Sequence, residues 1–87
     1  MIITNVRLFL VEEDRVKAFC SVTFDDCFVV SNMKLIEKDD RFFVAMPSKK
    51  DNKGRYRNIA FPINSEFRGK LEEAVMEEYK KVLEKSN

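Results

Sequence analysis

The feature that most constrains the fold of this chain is the alternation of apolar residues along residues 16–24. Every second residue in this segment is apolar, whereas a helix would bring apolar residues together at intervals of three and four. The pattern predicts a β-strand with one buried face, made of Val16, Ala18, Cys20, Val22 and Phe24. A lone strand or hairpin is not stable in water, so other segments must pair with it and cover that face.

Neighbouring segments offer strand partners on both sides. Before this strand, a second alternating run places five residues on one face: Ile2, Thr4, Val6, Leu8 and Leu10. After it, Asp25 and Asp26 favour a two-residue hairpin turn, because aspartate tolerates the left-handed backbone that such turns require. That turn would set Phe24 opposite Cys27 and leave Cys27 roughly 13 Å from Cys20, beyond the reach of a disulfide. Both cysteines are therefore predicted to pack as thiols.

Two further strands are predicted before Pro47. The third begins with residues 27–30, and residues 31–36 fit either its continuation or a short helix. After a charged turn at residues 37–41, the continuous apolar run of residues 42–46 is typical of a strand covered on both faces. Pro47 ends this strand, because proline has no amide hydrogen to donate to a ladder.

A second, more polar hairpin is predicted after Pro47. Residues 48–53 are polar and basic, Gly54 supplies a turn, and residues 55–61 alternate again. The lysines of this segment are expected at the tip of the hairpin. Pro62 is expected to close its second strand.

The C-terminal segment, residues 64–85, carries the period of an amphipathic helix. Asn64 or Ser65 can cap its first turn. Seven apolar residues recur at helical spacing: Phe67, Leu71, Ala74, Val75, Tyr79, Val82 and Leu83. The other face is charged and is expected to face solvent. The chain therefore predicts an α+β fold in one domain over residues 1–87, with a small antiparallel β-sheet of hairpins in residues 1–63 followed by one C-terminal helix.

A single helix can cover only one face of this sheet. Four apolar residues are expected on the opposite face: Phe9, Phe19, Phe28 and Val30. Together they form more apolar surface than a soluble monomer usually exposes. This surface predicts a homodimer. The alternative is that these residues are scattered hydrophobic side chains on a monomer.

The residue types present argue against an enzyme. The chain has no histidine, the commonest general base and metal ligand, and its two glycines cannot build a phosphate-binding loop. Two cysteines alone cannot make a zinc site, and the paired aspartates are accounted for as turn residues. We therefore predict no catalysis, no metal, no cofactor and no small-molecule substrate.

The chain also lacks the marks of a membrane or secreted protein. No apolar run approaches the roughly 18 to 20 residues that a membrane-spanning helix needs, and the N-terminus shows no export signal. Two cysteines are too few for a secreted disulfide scaffold. These features predict a cytoplasmic protein with no membrane partner.

Charge is distributed unevenly along the chain, although the net charge is only +1. Seven cations and two carboxylates give residues 48–70 a net charge of +5. Five of these cations fall within nine residues and form a basic island: Lys49, Lys50, Lys53, Arg55 and Arg57. Arg68 and Lys70 follow in the first helical turns. Grouped lysines and arginines can neutralise the phosphates of a nucleic acid. The island could also bind an acidic protein, or serve only as a solvated loop.

Several segments of the chain resemble the stage V sporulation protein G family, also called the septation regulator family. The central matching segments are FVAMPSK at residues 43–49, YRNIA at 56–60 and PINS at 62–65, followed by Arg68 and Ala74-Val75. The resemblance extends to residues 3–8 and 28–30. It therefore covers nearly the whole chain.

This resemblance implies a small homodimeric α+β protein of the bacterial cytoplasm that binds DNA and RNA and modulates gene expression, with links to septation and sporulation. It implies no catalysis. Nucleic-acid contact in the family is associated with basic residues of the loop and of the C-terminal helical part. The matching positions here are Lys49, Lys50, Arg57 and Arg68. Lys53, Arg55 and Lys70 are added to this site on charge alone.

The chain departs from the family pattern at three places. Phe61 stands where the family often has histidine. Ser31 and Asn32 stand where histidine and aspartate are common. Glu66 and Phe67 follow the cap, where the family often has a small or hydroxyl residue. This last departure affects the expected sequence preference more than binding itself.

Strand edges and uncovered apolar surface also favour a second function. The alternative is a protein-interaction module of the cell-division or sporulation machinery. The two functions are compatible with each other.

Overall fold

The chain folds into a four-stranded antiparallel sheet, a two-stranded ribbon and a C-terminal helix in the computed structural model, which describes residues 1–86. The elements are β1 (Ile3–Leu10), β2 (Val16–Phe24), β3 (Phe28–Lys38), β4 (Arg41–Ala45), β5 (Ser48–Lys50), β6 (Tyr56–Asn58) and α1 (Ser65–Ser86). The large sheet has the order β1-β2-β3-β4, and β5 pairs with β6. The predicted α+β class with one C-terminal helix is confirmed. Residue 87, included in the predicted domain, lies outside the described residues.

β2 lies in the interior of the sheet and buries the face that its alternation predicts. Ala18, Cys20, Val22 and Phe24 are all buried. The fifth predicted residue, Val16, is only half-buried and lies outside the core, because a register shift between Val16 and Ala18 interrupts the pairing with β3. Burial raises the pKa of the Cys20 thiol to about 11, so this side chain packs as a neutral group. Cys27 is exposed in the adjoining turn, so the prediction that it packs is wrong; both thiols are free.

The turn between β2 and β3 leaves one more residue out of the ladder than predicted. The aspartates at residues 25–26 form its bend, with φ values of 51° and 53°. The first cross-strand pair joins Phe24 to Phe28, so Cys27 lies outside the ladder. Because side chains alternate along a strand, this shift moves Phe28 and Val30 to the face that β2 buries. Their predicted place on the opposite face is therefore wrong.

β3 is one continuous strand of 11 residues, which resolves the ambiguity of residues 31–36. A bulge interrupts its pairing with β2 near Asn32, whose φ is 63°. The bulge adds one residue to β3, so that Val30 and Met33 both pack into the core. A strand that passes through a bulge loses its simple alternation, which is why the pattern of this segment was ambiguous.

β1 also contains a bulge, near its start. Consequently Ile3, rather than the predicted Ile2, packs against the core. Val6 and Leu8 pack there as predicted. The Ile2 amide donates a hydrogen bond to an Asp25 carboxylate oxygen at 2.9 Å, which ties the start of the chain to the β2–β3 turn.

β4 lies at an edge of the sheet, and its face away from the helix is partly exposed, so the predicted cover on both faces is wrong. It follows a tight turn in which residues 39–40 have φ values of 54° and 64°, as a type I′ hairpin requires. Val44 is buried, and the Phe42 ring packs on Tyr79 of the helix with centroids 5.7 Å apart. Phe43, on the other face, is 40% exposed.

α1 covers one face of the sheet along its length. The Asn64 side-chain oxygen accepts a hydrogen bond from the Phe67 amide at 2.7 Å, which confirms one of the two predicted caps. Leu71 and Val75 are buried against the strands, and Met76, which was not predicted, packs beside them. The buried core comprises Ala18, Cys20, Val22, Phe24, Met33, Leu35, Val44, Met46, Leu71 and Val75.

The sheet face away from the helix differs from the predicted one. Phe9 and Phe19 are cross-strand neighbours there, as predicted, and Phe9 is largely exposed. The Lys34 ammonium lies 6.0 Å from the Phe19 ring centroid and partly covers it. Ser21 and Thr23 continue the face along β2. Polar groups therefore interrupt the apolar surface of this face.

Candidate nucleic-acid interface

The basic island lies on a ribbon formed by β5 and β6, which follows Pro47. Three cross-strand pairs define the ribbon: Ser48 with Asn58, Lys49 with Arg57, and Lys50 with Tyr56. All six residues are exposed. The Ile59 amide donates a hydrogen bond to the Pro47 carbonyl at 2.7 Å and closes the base of the ribbon. The predicted second hairpin is confirmed, although β6 ends at Asn58, well before Pro62.

Only one of the three lysines lies at the tip that was predicted for them. Lys53 is in the connecting loop, whereas Lys49 and Lys50 belong to β5. Gly54 supplies the predicted turn with a φ of 80°, a conformation that residues with a Cβ rarely adopt. The three lysine side chains are exposed, so their ammonium groups are accessible to an anionic ligand.

Asp51 organises the loop of the ribbon. Its Oδ1 accepts hydrogen bonds from the amides of Lys53 at 2.8 Å and Arg55 at 2.9 Å. Its Oδ2 accepts a hydrogen bond from Arg57 Nε at 2.9 Å. Sequence reasoning treated Asp51 only as the one acid among these cations. The signal that could have identified its role is an aspartate two residues before a turn amide, the spacing of an Asx turn.

The ribbon sets two cations opposite each other, and only one of them has an ion-pair partner among the described residues. Lys49 and Arg57 form a direct cross-strand pair, and like charges in this position destabilise a ladder. Asp51 forms an ion pair with Arg57. The other four cations of the island form no ion pair within residues 1–86. An external anion could therefore bind to them without displacing an internal partner.

Arg68 and Lys70 lie on α1, outside the ribbon that carries the basic island. Both lie in the first turns of α1, where a two-residue separation points them about 200° apart around the helix axis. Lys70 lies 3.8 Å from a Glu66 carboxylate, and Arg68 is half-buried. The seven predicted site residues therefore divide between two elements, with five on the ribbon and its loop and two in the first turns of α1.

Because Asp51 holds the loop in its ionised form, the order of the loop should depend on pH. The Arg55 amide, the Arg57 side chain and the Lys53 amide all donate to its ionised form, and together they hold the pKa of Asp51 below its ordinary value of 3.8. A lowered pKa in the folded state means that the stabilisation is complete above the ordinary value. The stabilisation of the loop is lost as the pH falls through the lowered pKa of Asp51. We expect the loop to stay ordered at neutral pH.

This dependence is measurable by following the Lys53 and Arg55 amide resonances during an acid titration by nuclear magnetic resonance. Both resonances should shift together, with a midpoint below 3.8. The control is Asp51→Asn, which keeps an oxygen acceptor but cannot titrate, so the common transition should disappear. A midpoint at or above the ordinary value would contradict the hydrogen-bonded geometry.

An open apolar groove of about 420 Å³ lies beside the start of α1. Its lining includes the core residues Phe24, Met33, Met46 and Leu71, and the more exposed Met1, Phe28, Phe61 and Ile63. Ile63 is 91% exposed, the highest value among the large apolar residues described. Sequence reasoning missed this groove because the predicted turn length placed Phe28 on the other face. The apolar residues on either side of Pro62, Phe61 and Ile63, were the sequence feature that could have indicated this groove.

Comparison with known proteins identifies the family of this chain. The family model described as SpoVG matches residues 1–81. The chain belongs to the SpoVG family. The resemblance found in the sequence is therefore confirmed over nearly the whole chain.

Relatives in the SpoVG family come from several bacteria, and each of the following carries the name "Putative septation protein SpoVG". The relative from Caldanaerobacter subterraneus subsp. tengcongensis is 49% identical over all of this chain and 97% of its own length. The relative from Bdellovibrio bacteriovorus is 48% identical over 95% of this chain and 77% of its own length. The relative from Myxococcus xanthus is 43% identical over 95% of this chain and 84% of its own length. These names describe septation proteins and no enzyme.

Among residues 1–86, no helix combines the length and the apolar character needed to cross a membrane. In the same part of the chain, no three histidine, cysteine, aspartate or glutamate side chains are grouped so that they could hold a metal ion.

Proposed function

We propose that this SpoVG-family protein is a homodimeric DNA- or RNA-binding regulator of gene expression in the bacterial cytoplasm, linked to septation and without catalytic activity. The observation that carries nucleic-acid binding is the exposed ribbon, on which four cations have no ion-pair partner in the described residues. Cations arranged in this way can replace the counterions of a phosphate backbone. The link to septation rests on the names of the relatives.

The internal order of the ribbon argues against a loop that is charged only for solubility. The Asp51 carboxylate accepts three hydrogen bonds, the Asp51 amide donates one to the Arg55 carbonyl at 2.8 Å, and the Gly54 amide donates one to the Asp51 carbonyl at 3.1 Å. Ordering a loop costs conformational entropy, and solubility alone does not require it. A defined position of the cations is useful when they must meet the regular charges of a nucleic-acid backbone.

The direct test is fluorescence anisotropy with generic DNA and RNA probes over a series of salt concentrations. Four phosphate contacts predict that the logarithm of the association constant falls with the logarithm of salt with a slope of about −3 to −4 on duplex DNA. Absence of binding at low ionic strength, or affinity that salt does not change, would contradict this function.

The groove beside α1 supports the homodimer better than the opposite sheet face does. Its exposed rim residue Ile63 projects next to a groove lined by apolar side chains of the same chain. A two-fold dimer brings identical patches together, so a patch with both a projection and a recess can complement itself. The opposite face, in contrast, is interrupted by Lys34 and by polar residues of β2. We therefore propose that the dimer forms through the groove.

Ile63→Asp should convert the dimer to a monomer, because it would bury a carboxylate in an apolar interface. The fold should survive, since Ile63 is 91% exposed in the chain itself. Size-exclusion chromatography with light scattering measures the mass of each species. The control is Phe9→Asp, an equivalent change at a residue 69% exposed on the opposite face, which should leave the dimer intact.

The reverse pattern, with only Phe9→Asp giving a monomer, would move the interface to the opposite face. A wild-type chain that is monomeric at micromolar concentration would contradict the homodimer. That result would instead favour the alternative of a protein-interaction module, with the groove open to another protein.

A further inference from the structure

The ribbon carries an exposed aromatic ring among its cations. Tyr56 is 73% exposed, and the ammonium of its cross-strand partner Lys50 lies 5.9 Å from the ring centroid. The other tyrosine, Tyr79, is half-buried and packs on Phe42. Tyr56 belongs neither to the core nor to the groove lining. Its ring is therefore accessible for a contact outside the chain.

The two faces of the ribbon present different chemistry. Directly paired residues point to the same face, so Lys50 and Tyr56 lie together. The other face carries Lys49 and Arg57, and Arg57 is held by the Asp51 carboxylate. The Tyr56 face thus combines an accessible aromatic ring with an ammonium that has no ion-pair partner in residues 1–86.

We propose that Tyr56 and Lys50 form a stacking platform for an unpaired base, which makes single-stranded nucleic acid the ligand class of this ribbon. An accessible ring beside a cation is the arrangement that binds single strands, with the base on the ring and the phosphate on the cation. In a duplex the faces of the bases are covered by their neighbours, so the ring has no partner there. This inference rests on the proposed nucleic-acid function and names its substrate class.

The first experiment separates stacking from phosphate contact. Affinities are measured for a labelled single strand and for an abasic strand of equal length, which keeps the phosphates and lacks the bases. The wild type should bind the strand with bases roughly tenfold tighter than the abasic strand. Tyr56→Leu should lose this ratio, whereas Tyr56→Phe, which keeps the ring, should retain it. The salt slope should be equal in all three proteins, because none of the changes removes a charge.

The second experiment uses the fluorescence of Tyr56 itself. The chain has no tryptophan and only two tyrosines, so Tyr79→Phe leaves Tyr56 as its only strong emitter. A single strand should quench this emission as a base stacks on the ring. Inorganic polyphosphate, which offers charge without bases, should leave the emission unchanged.

Equal affinity of the wild type for the two strands, or an unchanged ratio in Tyr56→Leu, would overturn the stacking platform. The proposed function would survive either result, because it requires only the phosphate contacts of the lysines. Failure of the wild type to bind any strand at low ionic strength would overturn both proposals together.

Discussion

Leu35→Ala is expected to lower the free energy of unfolding by about 2 to 5 kcal/mol, the usual cost of deleting a buried leucine side chain. Leu35 is 0% exposed in β3, with Ala18 and Val44 as its cross-strand neighbours. The strand ladders hold these neighbours in place, so they can fill the resulting cavity only in part. A domain of this size has about 4 to 13 kcal/mol of stability in total, so the melting temperature should fall by about 8 °C or more.

The matched control is Leu10→Ala, which removes the same atoms from the end of edge strand β1. Leu10 is 39% exposed, so the loss should be about 1 kcal/mol or less. Urea unfolding followed by circular dichroism gives both values. All proteins must be compared at one concentration, because dimerisation would make the apparent stability depend on it. Equal losses in the two variants would show that Leu35 does not lie in the core as described.

Replacing Lys49, Lys50 and Lys53 together by alanine is expected to weaken nucleic-acid binding roughly 100-fold or more at low ionic strength. Each lysine that contacts a phosphate adds nearly one unit to the salt slope, so the slope should become shallower by about two to three units. The loss should be similar for all probe sequences, because phosphate contacts do not distinguish bases. Anisotropy titrations across a salt series measure both quantities.

The control for this variant removes the same charge, three lysines, from the C-terminal half of α1. Lys80, Lys81 and Lys85 are exposed on α1, and Lys80 lies about 24 Å along the helix axis from Asn64. Alanine is well tolerated at exposed helix positions, so the fold should be unaffected. The control variant should bind nearly as well as the wild type. If both triple variants lose the same affinity, the binding follows net charge and the ribbon is not the site.

Local patterns were sufficient to predict several elements correctly. The alternation of residues 16–24 predicts β2 and its buried face, because each side chain in a strand points opposite to its neighbour. The side chain of Asn64 predicts the start of α1, because it can accept the hydrogen bond of a nearby free amide. Pro47 predicts the end of β4 for a similarly local reason.

The prediction was wrong where a shift of one residue in the strand pairing changed which side chains face the core. Leaving Cys27 out of the ladder moved Phe28 and Val30 to the core face. The bulge near Asn32 then kept Met33 on that same face. Neither the length of an Asp-Asp turn nor a bulge has a strong sequence signal when glycine is absent. Pairing with β2 sets both, because the side chains that fill the core determine which register is stable.

The candidate site, like the fold, could be predicted from the sequence only in part. The sequence by itself determined that five cations lie close together, because neighbours in the chain remain neighbours in space whatever the fold. Only the three-dimensional structure decided that the Asp51 carboxylate binds Arg57 and that Tyr56 stands exposed beside Lys50. These two relations depend on how the strands of the ribbon pair and on how their connecting loop bends. Composition and residue spacing do not determine which of these side chains come into contact.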